Sequence, residues 1–169
     1  MQLLASTDPL TQLLNRRSFG LEANALLDQD KQIRFPLSLA ILDIDFFKNI
    51  NDTYGHGLGD QVIVRVADVL RQQCRHQDIV ARYGGEEFVI LMPNTTREKA
   101  HVLAERIRKT LEKASVQVDQ HQLVNFTLSV GIAEVDPKAV DLQAAIDQAD
   151  KALYKAKNSG RNQSQLYLG

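Results

Sequence analysis

Two strand-like runs, Ile79-Val-Ala-Arg-Tyr83 and Glu87-Phe-Val-Ile-Leu-Met92, are separated only by Gly84-Gly85-Glu86. This restricts the fold more than any other feature of the chain. Strands joined so closely must run antiparallel, because a parallel pair needs a crossover of about a dozen residues or more. The paired glycines predict a tight hairpin turn built on positive φ angles. A further run, Leu37-Ser-Leu-Ala-Ile-Leu42, is nearly continuously apolar and ends at Asp43-Ile-Asp45. It predicts a central strand buried on both faces, with carboxylates at its end.

Around these strands the pattern is helical. Asp8 as N-cap and Pro9 at the first helical position predict an opening helix, and Asn15 caps a second one through about Asp28. Pro36 marks a break. The segment from Phe46 to Tyr54 has helical character, and Gly55-His-Gly-Leu-Gly59 reads as a loop that delivers Asp60 to the start of a longer helix. Val62, Val66, Val69 and Leu70 place an apolar stripe along that helix to about Cys74. Ala100, Leu103, Ala104, Ile107 and Leu111 trace a helix from about Thr96 to Lys113. Val116-Gln-Val118 and Leu123 to Ala133 read as strands, the latter alternating through Phe126, Leu128, Val130 and Ile132. Leu142, Ile146, Ala149 and Leu153 mark a last helix that Asn158-Ser-Gly160 ends, and a terminal strand is expected around Gln165 to Leu168.

The 169 residues suit one domain able to bury a full core, with no repeat or linker that would divide it. Twenty Lys+Arg against 21 Asp+Glu leave a net charge of −1, without the basic excess of a protein that grips nucleic acid. Cys74, the single cysteine, excludes an internal disulfide and a Cys-rich zinc site and fits a reducing compartment. No apolar stretch is long enough to span a bilayer, and Met1-Gln-Leu-Leu-Ala lacks the marks of a signal peptide. Phosphate-loop, dinucleotide-binding and zinc-protease motifs are missing, and the four histidines, at 56, 76, 101 and 121, are scattered.

What carries chemistry is a set of carboxylates at strand ends. Asp43 and Asp45 follow one strand, and Glu86 and Glu87 lie at the hairpin, whose glycines let backbone and ligand approach closely. Hard divalent cations take oxygen ligands, and magnesium is usually held by one or two carboxylates plus substrate phosphates. Each pair alone reads more simply as a strand end or a decorated turn. Together, beside an Asn/Asp/Gly-rich loop, they point to a site.

Arg82-Tyr-Gly-Gly-Glu-Glu-Phe88 resembles the signature of the GGDEF family, the bacterial diguanylate cyclases, in its GGEEF form. Four further blocks agree in order and separation. Asp8-x-Leu10-Thr11-x-Leu13-x-Asn15-Arg16-Arg17 resembles the family's opening, and Asp43-Ile-Asp45-x-Phe47-Lys48-x-x-Asn51-Asp52 through Gly55-His56-x-x-Gly59-Asp60 its metal and guanine segment. Ser129-Val-Gly131-Ile-Ala133 resembles a late strand. Ala149-Asp150-x-Ala152-Leu153-Tyr154-x-Ala156-Lys157-x-x-Gly160-Arg161-Asn162 resembles the closing helix and phosphate loop. Gln12 and Leu14 stand where the family often has Gly and Pro, which bears on the orientation of the N-terminal segment.

The resemblance implies an α+β fold like the catalytic palm of nucleotide cyclases, a central and mainly antiparallel sheet of about five strands surrounded by helices. The element order read above agrees with it. It also implies condensation of two GTP into cyclic di-GMP with release of two pyrophosphates, one GTP on each of two facing domains. By the same match Asp43, Glu86 and the main-chain carbonyl of Ile44 hold two Mg2+ ions, or Mn2+ in their place, with Glu87 completing the coordination. Glu86 is the proton acceptor, Gly84 and Gly85 form the signature loop, and Asp45 is left as a supporting or structural carboxylate. Asn51 and Asp60 read guanine, although Asn51 also suits a helix end and Asp60 an N-cap. His56 either touches the nucleotide or packs the loop.

Lys157 and Arg161 resemble the family's phosphate-binding pair, and Lys48 with the backbone amides near Phe46 and Phe47 holds the outer phosphates. Arg75-x-x-Asp78, with five residues between Asp78 and Gly84, matches the spacing of the family's inhibitory product site, and Arg106 aligns with a secondary contact supplied by another subunit. Residues 1–8 read as the tail of a linker from an upstream sensor or dimerising region, and 9–169 as the cyclase domain, placed in the cytoplasm even if a longer protein is membrane-anchored. The alternative is a catalytically silent effector that binds GTP or cyclic di-GMP, or a module that uses the fold only to dimerise.

Overall fold

The computed structural model describes residues 5–28 and 35–169. Its elements run α1 (Arg16–Asp28), β1 (Ser38–Ile44), α2 (Phe47–Tyr54), α3 (His56–Gln73), β2 (Ile79–Arg82), β3 (Glu87–Met92), α4 (Arg97–Lys113), β4 (Ser115–Gln117), β5 (Leu123–Asn125), β6 (Leu128–Glu134), α5 (Leu142–Asn158) and β7 (Ser164–Leu166). Five strands form one sheet in the order β2-β3-β1-β6-β7, antiparallel except that β7 runs parallel to β6. This is the expected α+β architecture. The strand β1 lies at its centre, which is why the run from Leu37 is apolar on both sides.

Alternation along the strands divides the core in two. Ala40, Leu42 and Ile44 of β1, with Phe88, Ile90 and Met92 of β3, pack toward α3 and α4. Leu39 and Ile41, with Val89 and Leu91, pack toward α1 and α5. By the same period Asp43 and Glu87 fall on the α1/α5 face, directly opposite one another across the β1–β3 pair.

Asn15 caps α1 as expected, its Oδ1 accepting from the Ser18 amide at 2.9 Å, and Thr96 and Asp141 cap α4 and α5. Four expectations give way. The segment at Asp8-Pro9 is a turn and not a helix: Asp8 Oδ2 accepts from both the amide (2.9 Å) and the hydroxyl (2.8 Å) of Thr11, and Thr7 bridges Leu14. This closes the turn before helical hydrogen bonds can propagate.

The loop expected over 55–59 shrinks to Gly55 alone, at φ 89°, and α3 begins at His56. Asp60 therefore lies inside α3 and caps nothing. Gly84 and Gly85 do not take positive φ. The four-residue connection is instead held by Arg82, whose Nε and Nη2 both donate to the Gly85 carbonyl at 3.2 and 2.8 Å. Finally, the alternating run from Leu123 serves two sheets: β5 pairs with β4 in a separate hairpin, and β6 pairs with β1.

Candidate active site

The site lies where β1 ends beside the hairpin. Asp43 and Glu87 face each other across an antiparallel pair, where side chains stand roughly 5 Å apart and like charges repel. Glu86 is tied to the same place by its carbonyl, which accepts from the Ile44 amide at 3.2 Å. Burial raises the Asp43 carboxyl above its ordinary range against the pull of Lys157, and it raises Glu86, with Asp43 adding repulsion. Glu87 is pushed up to about 7 by burial and then by Asp43, Asp150 and Glu86. Three carboxylates that resist ionisation together make a donor set of oxygens short of positive charge, the chemistry of a divalent-cation site. Among the described residues no three acidic, histidine or cysteine side chains already enclose a cation position. Asp43 is drawn aside to an ammonium.

That ammonium is Lys157, from the last turn of α5. Its Nζ lies 2.9 Å from Asp43 Oδ1 and 2.9 Å from Asp45 Oδ1. Asp45 is buried and accepts three further hydrogen bonds, from Ser129 Oγ (2.7 Å), Thr127 Oγ1 (2.7 Å) and the Asn162 amide (3.0 Å). Burial alone would raise Asp45, but Lys157 and the two hydroxyls outweigh it and hold the carboxyl below its ordinary range. The two aspartates that share one lysine thus divide their roles. Asp45 is a saturated anchor, while Asp43 keeps unused acceptor capacity facing Glu86 and Glu87.

Three non-glycine residues at this end of the sheet adopt left-handed backbone: Phe46 (φ 56°), Arg161 (φ 61°) and Asn162 (φ 49°). Phe46 turns the chain from β1 into α2, and the Arg161 guanidinium lies 4.6 Å from the Phe46 ring centroid. Such conformations cost energy and persist only when their surroundings enforce them. Phe46 leads into the first turn of α2, which has free amides and carries Lys48, while Arg161 follows the α5 turn that carries Lys157; such groups are suited to phosphate oxygens.

The Asn51 Oδ1 atom of α2 is buried with no hydrogen-bond partner among the described residues. It packs against Gly59, where a β-carbon would come within 1.9 Å of it. An acceptor held in this way can take a donor from outside the chain. Asp60 follows on the exposed side of α3 and lines a cleft of about 430 Å3 with Leu10, Gln61 and Arg65. His56 is exposed at the first position of α3.

Arg75 and Arg106 line a second, separate cleft of about 210 Å3 between the end of α3 and α4. Arg75 is exposed but tied down at its tip, its Nη2 donating to Asp78 Oδ1 (3.1 Å), Pro93 O (2.7 Å) and Thr95 Oγ1 (2.6 Å). The Asp78 side chain is 0% exposed and also accepts from the Arg75 amide at 2.7 Å. Arg106 braces Gln73 at 3.1 and 3.2 Å.

Some residues that shape the site were given no role of their own in the sequence reading. Arg82 joins the hairpin to the N-terminal turn through Asp8 Oδ1 at 3.1 Å. Arg16, 4.3 Å from the Tyr83 ring centroid, is the cation that opposes the rise of Glu87. Arg108 of α4 reaches Asn162. Arg16 and Arg82 lie within blocks that carry the family resemblance, whereas Arg108 offered only a Glu105–Arg108 pair at i,i+3 beside the apolar stripe of its helix.

The antiparallel sheet thus ends in clustered carboxylates, beside a lysine-arginine arm and a slot between two short-linked helices. The family model for "Diguanylate cyclase, GGDEF domain" matches residues 5–163, and the chain belongs to that family. It is 39% identical over 166 residues to Diguanylate cyclase A of Treponema denticola, covering 96% of this chain and 44% of that protein. It is 40% identical over 160 residues to the response regulator PleD of Caulobacter vibrioides, covering 94% of this chain and 35% of that protein. The chain thus spans less than half the length of these relatives. Among solved structures, the GGDEF domain of DgcB from Caulobacter crescentus in complex with c-di-GMP superposes with a TM-score of 0.90 at 34% identity, covering 99% of this chain and 98% of that one. The active GGEEF domain of a diguanylate cyclase from Vibrio cholerae gives a TM-score of 0.86 at 35% identity, covering 94% and 99%.

Proposed function

We propose that the domain is a diguanylate cyclase that condenses two GTP into cyclic di-GMP. The observation that supports this most is the junction of Asp43, Glu86 and Glu87 with the Lys157–Arg161 arm, in a chain similar to Diguanylate cyclase A of Treponema denticola. The 3′-oxygen of each ribose attacks the α-phosphorus of the other GTP. In each attack a phosphodiester bond forms, the bond to pyrophosphate breaks and the hydroxyl proton leaves. Asn51 and Asp60 accept the amine and imino protons of guanine, an edge that adenine lacks. Lys157, Arg161, Lys48 and the amides at Phe46 and Phe47 hold the phosphates, and Glu86 receives the proton.

Asp43, Glu86, Glu87 and the Ile44 carbonyl would hold two magnesium ions, or manganese in their place, which supply charge neutralisation and favour the alkoxide. One domain holds one GTP, so a second copy must face it. A sensor or dimerising region upstream of residues 1–8, in the length by which the relatives exceed this chain, would govern that encounter. No helix among the described residues is long and apolar enough to cross a membrane, which fits a domain working on cytoplasmic GTP. Product would bind at Arg75, Asp78 and Arg106, which requires Arg75 to leave its intramolecular contacts.

Incubation with GTP and magnesium followed by nucleotide chromatography tests the reading. Cyclic di-GMP should accumulate with two pyrophosphates per turnover, and Asp43→Asn should lower the rate about a hundredfold or more. Nucleotide binding without synthesis in the paired domain would make it a silent effector instead.

A further inference from the structure

The structure assigns to Arg108 a positioning role in the site: it clamps the phosphate-binding loop through Asn162. This rests on the cyclase reading only for the identity of the ligand. Arg108 is 9% exposed, although α4 meets solvent on its opposite side. Its Nε and Nη2 form a fork on Glu105, at 2.7 and 2.9 Å, and its Nη1 donates to Asn162 Oδ1 at 2.8 Å. Glu105 is itself fixed by Ser164 Oγ at 2.8 Å, on the strand that follows the loop. Asn162 Nδ2 donates to Glu112, one turn further along α4.

Asn162 is thus gripped from three directions. Its side chain is held by Arg108 and Glu112, and its amide donates to Asp45 Oδ2 at 3.0 Å. The grip falls on a residue whose backbone is left-handed and directly follows another left-handed residue, Arg161. Without an enforcing contact, such a pair relaxes toward ordinary backbone. Relaxation would move the Arg161 guanidinium off Phe46 and remove a donor from Asp45, the carboxylate that shares Lys157 with Asp43. A buried arginine with a planar fork suits this task, because it can bind a carboxylate with two nitrogens and still extend a third. Lysine, a single point charge, cannot hold both partners in that geometry.

Arg108→Lys and Asn162→Ala test the clamp by two readings, hydrogen exchange at the Asn162 amide (in the alanine variant, the amide of residue 162) and calorimetric binding of a non-hydrolysable GTP analogue and of guanosine with magnesium. Arg108→Lys should speed the exchange and weaken the GTP analogue roughly tenfold while leaving guanosine affinity unchanged, the scale seen when partners of binding groups are removed. In the Asn162→Ala background Arg108→Lys should cost little more, because the link it removes is already gone. A lowered melting temperature with unchanged exchange and unchanged GTP affinity would overturn the proposal, as would equal weakening of GTP and guanosine or full additivity of the two variants. If the parent bound neither the GTP analogue nor guanosine the cyclase reading would fail, and faster exchange in Arg108→Lys would still support the clamp.

Discussion

Gly131 of β6 and Leu153 of α5 touch backbone to backbone: a β-carbon on Gly131 would lie 2.3 Å from the Leu153 nitrogen and 2.1 Å from the Ala149 carbonyl oxygen. Helix α5 therefore lies directly on the sheet, and its last turn delivers Lys157 to Asp43. Neither atom is the end of a flexible side chain, so Gly131→Ala must lift the helix. Overpacking of this kind should lower the melting temperature by roughly 5–10 °C. It should also weaken binding of a GTP analogue, since Lys157 moves with α5. Thermal melts and a titration on the folded variant check both, and a variant as stable as the parent would contradict the contact.

The slot between α2 and α3 offers a contrasting case, because there the obstacle is a side chain. A β-carbon at Gly59 meets Asn51 Oδ1, which can swing away. Gly59→Ala should keep the fold and lower GTP affinity about tenfold by displacing the acceptor. Asp60→Ala should change stability by no more than about 0.5 kcal/mol, since Asp60 caps nothing and is exposed. Its effect should be a narrower preference for GTP over ATP. Titrating both nucleotides against both variants decides, and an unaltered preference removes Asp60 from guanine recognition.

At the product cleft, Arg75→Ala should straighten progress curves recorded with added cyclic di-GMP. The neutral side chain cannot fork onto phosphate or base. The same change deprives buried Asp78 of a charged partner, so a stability loss of about 1–3 kcal/mol should accompany it. Curves from the variant that bend as strongly as those of the parent would make the Arg75–Asp78 pair purely structural.

Acid stability should report the brace behind Arg108. Hydrogen bonds from Arg108, then from Ser164, outweigh burial and hold Glu105 at about 2, below its ordinary 4.5. A folded-state value below the unfolded one means that the unfolded chain binds more protons as pH falls. The contribution of Glu105 is complete above pH 4.5 and is lost on descent toward pH 2. Glu105→Gln should be less stable at neutral pH and lose less between pH 5 and 2 than the parent. Denaturant melts stepped through that range measure it, and parallel slopes would reject the assignment.

Strands and helices were legible where burial imposes a period: the apolar run ending at Asp43, the stripe of α4 and the cap Asn15 all lie where expected. Periodicity reports which face is buried and not which strand is the neighbour, so the run from Leu123 gave no sign of changing sheets at Phe126. Glycine content misled at 55–59, because Gly59 is needed for close approach within a helix and only Gly55 for backbone freedom. The carboxylates at 43, 86 and 87 were legible as a group. Asp45 was legible as a supporting carboxylate, but its partners at 127, 129, 157 and 162 were not, because they come from distant segments. Arg108 was hidden by its surroundings, since an arginine on a charged helix ordinarily faces water.

The short parallel strand β7 begins two residues after Asn162, paired with Val130 through Ser164 and with Ile132 through Leu166. The loop at 159–163 is consequently fastened at both ends, by α5 before it and by the sheet after it, with Val130 N donating to Gln163 O at 2.9 Å and Tyr167 N to Ile132 O at 2.7 Å. A chain cut after Asn162 would keep every residue assigned to the site and yet lose its far mooring. It would turn a loop with two fixed ends into a tail, whose conformational freedom must then be frozen out by each nucleotide that binds.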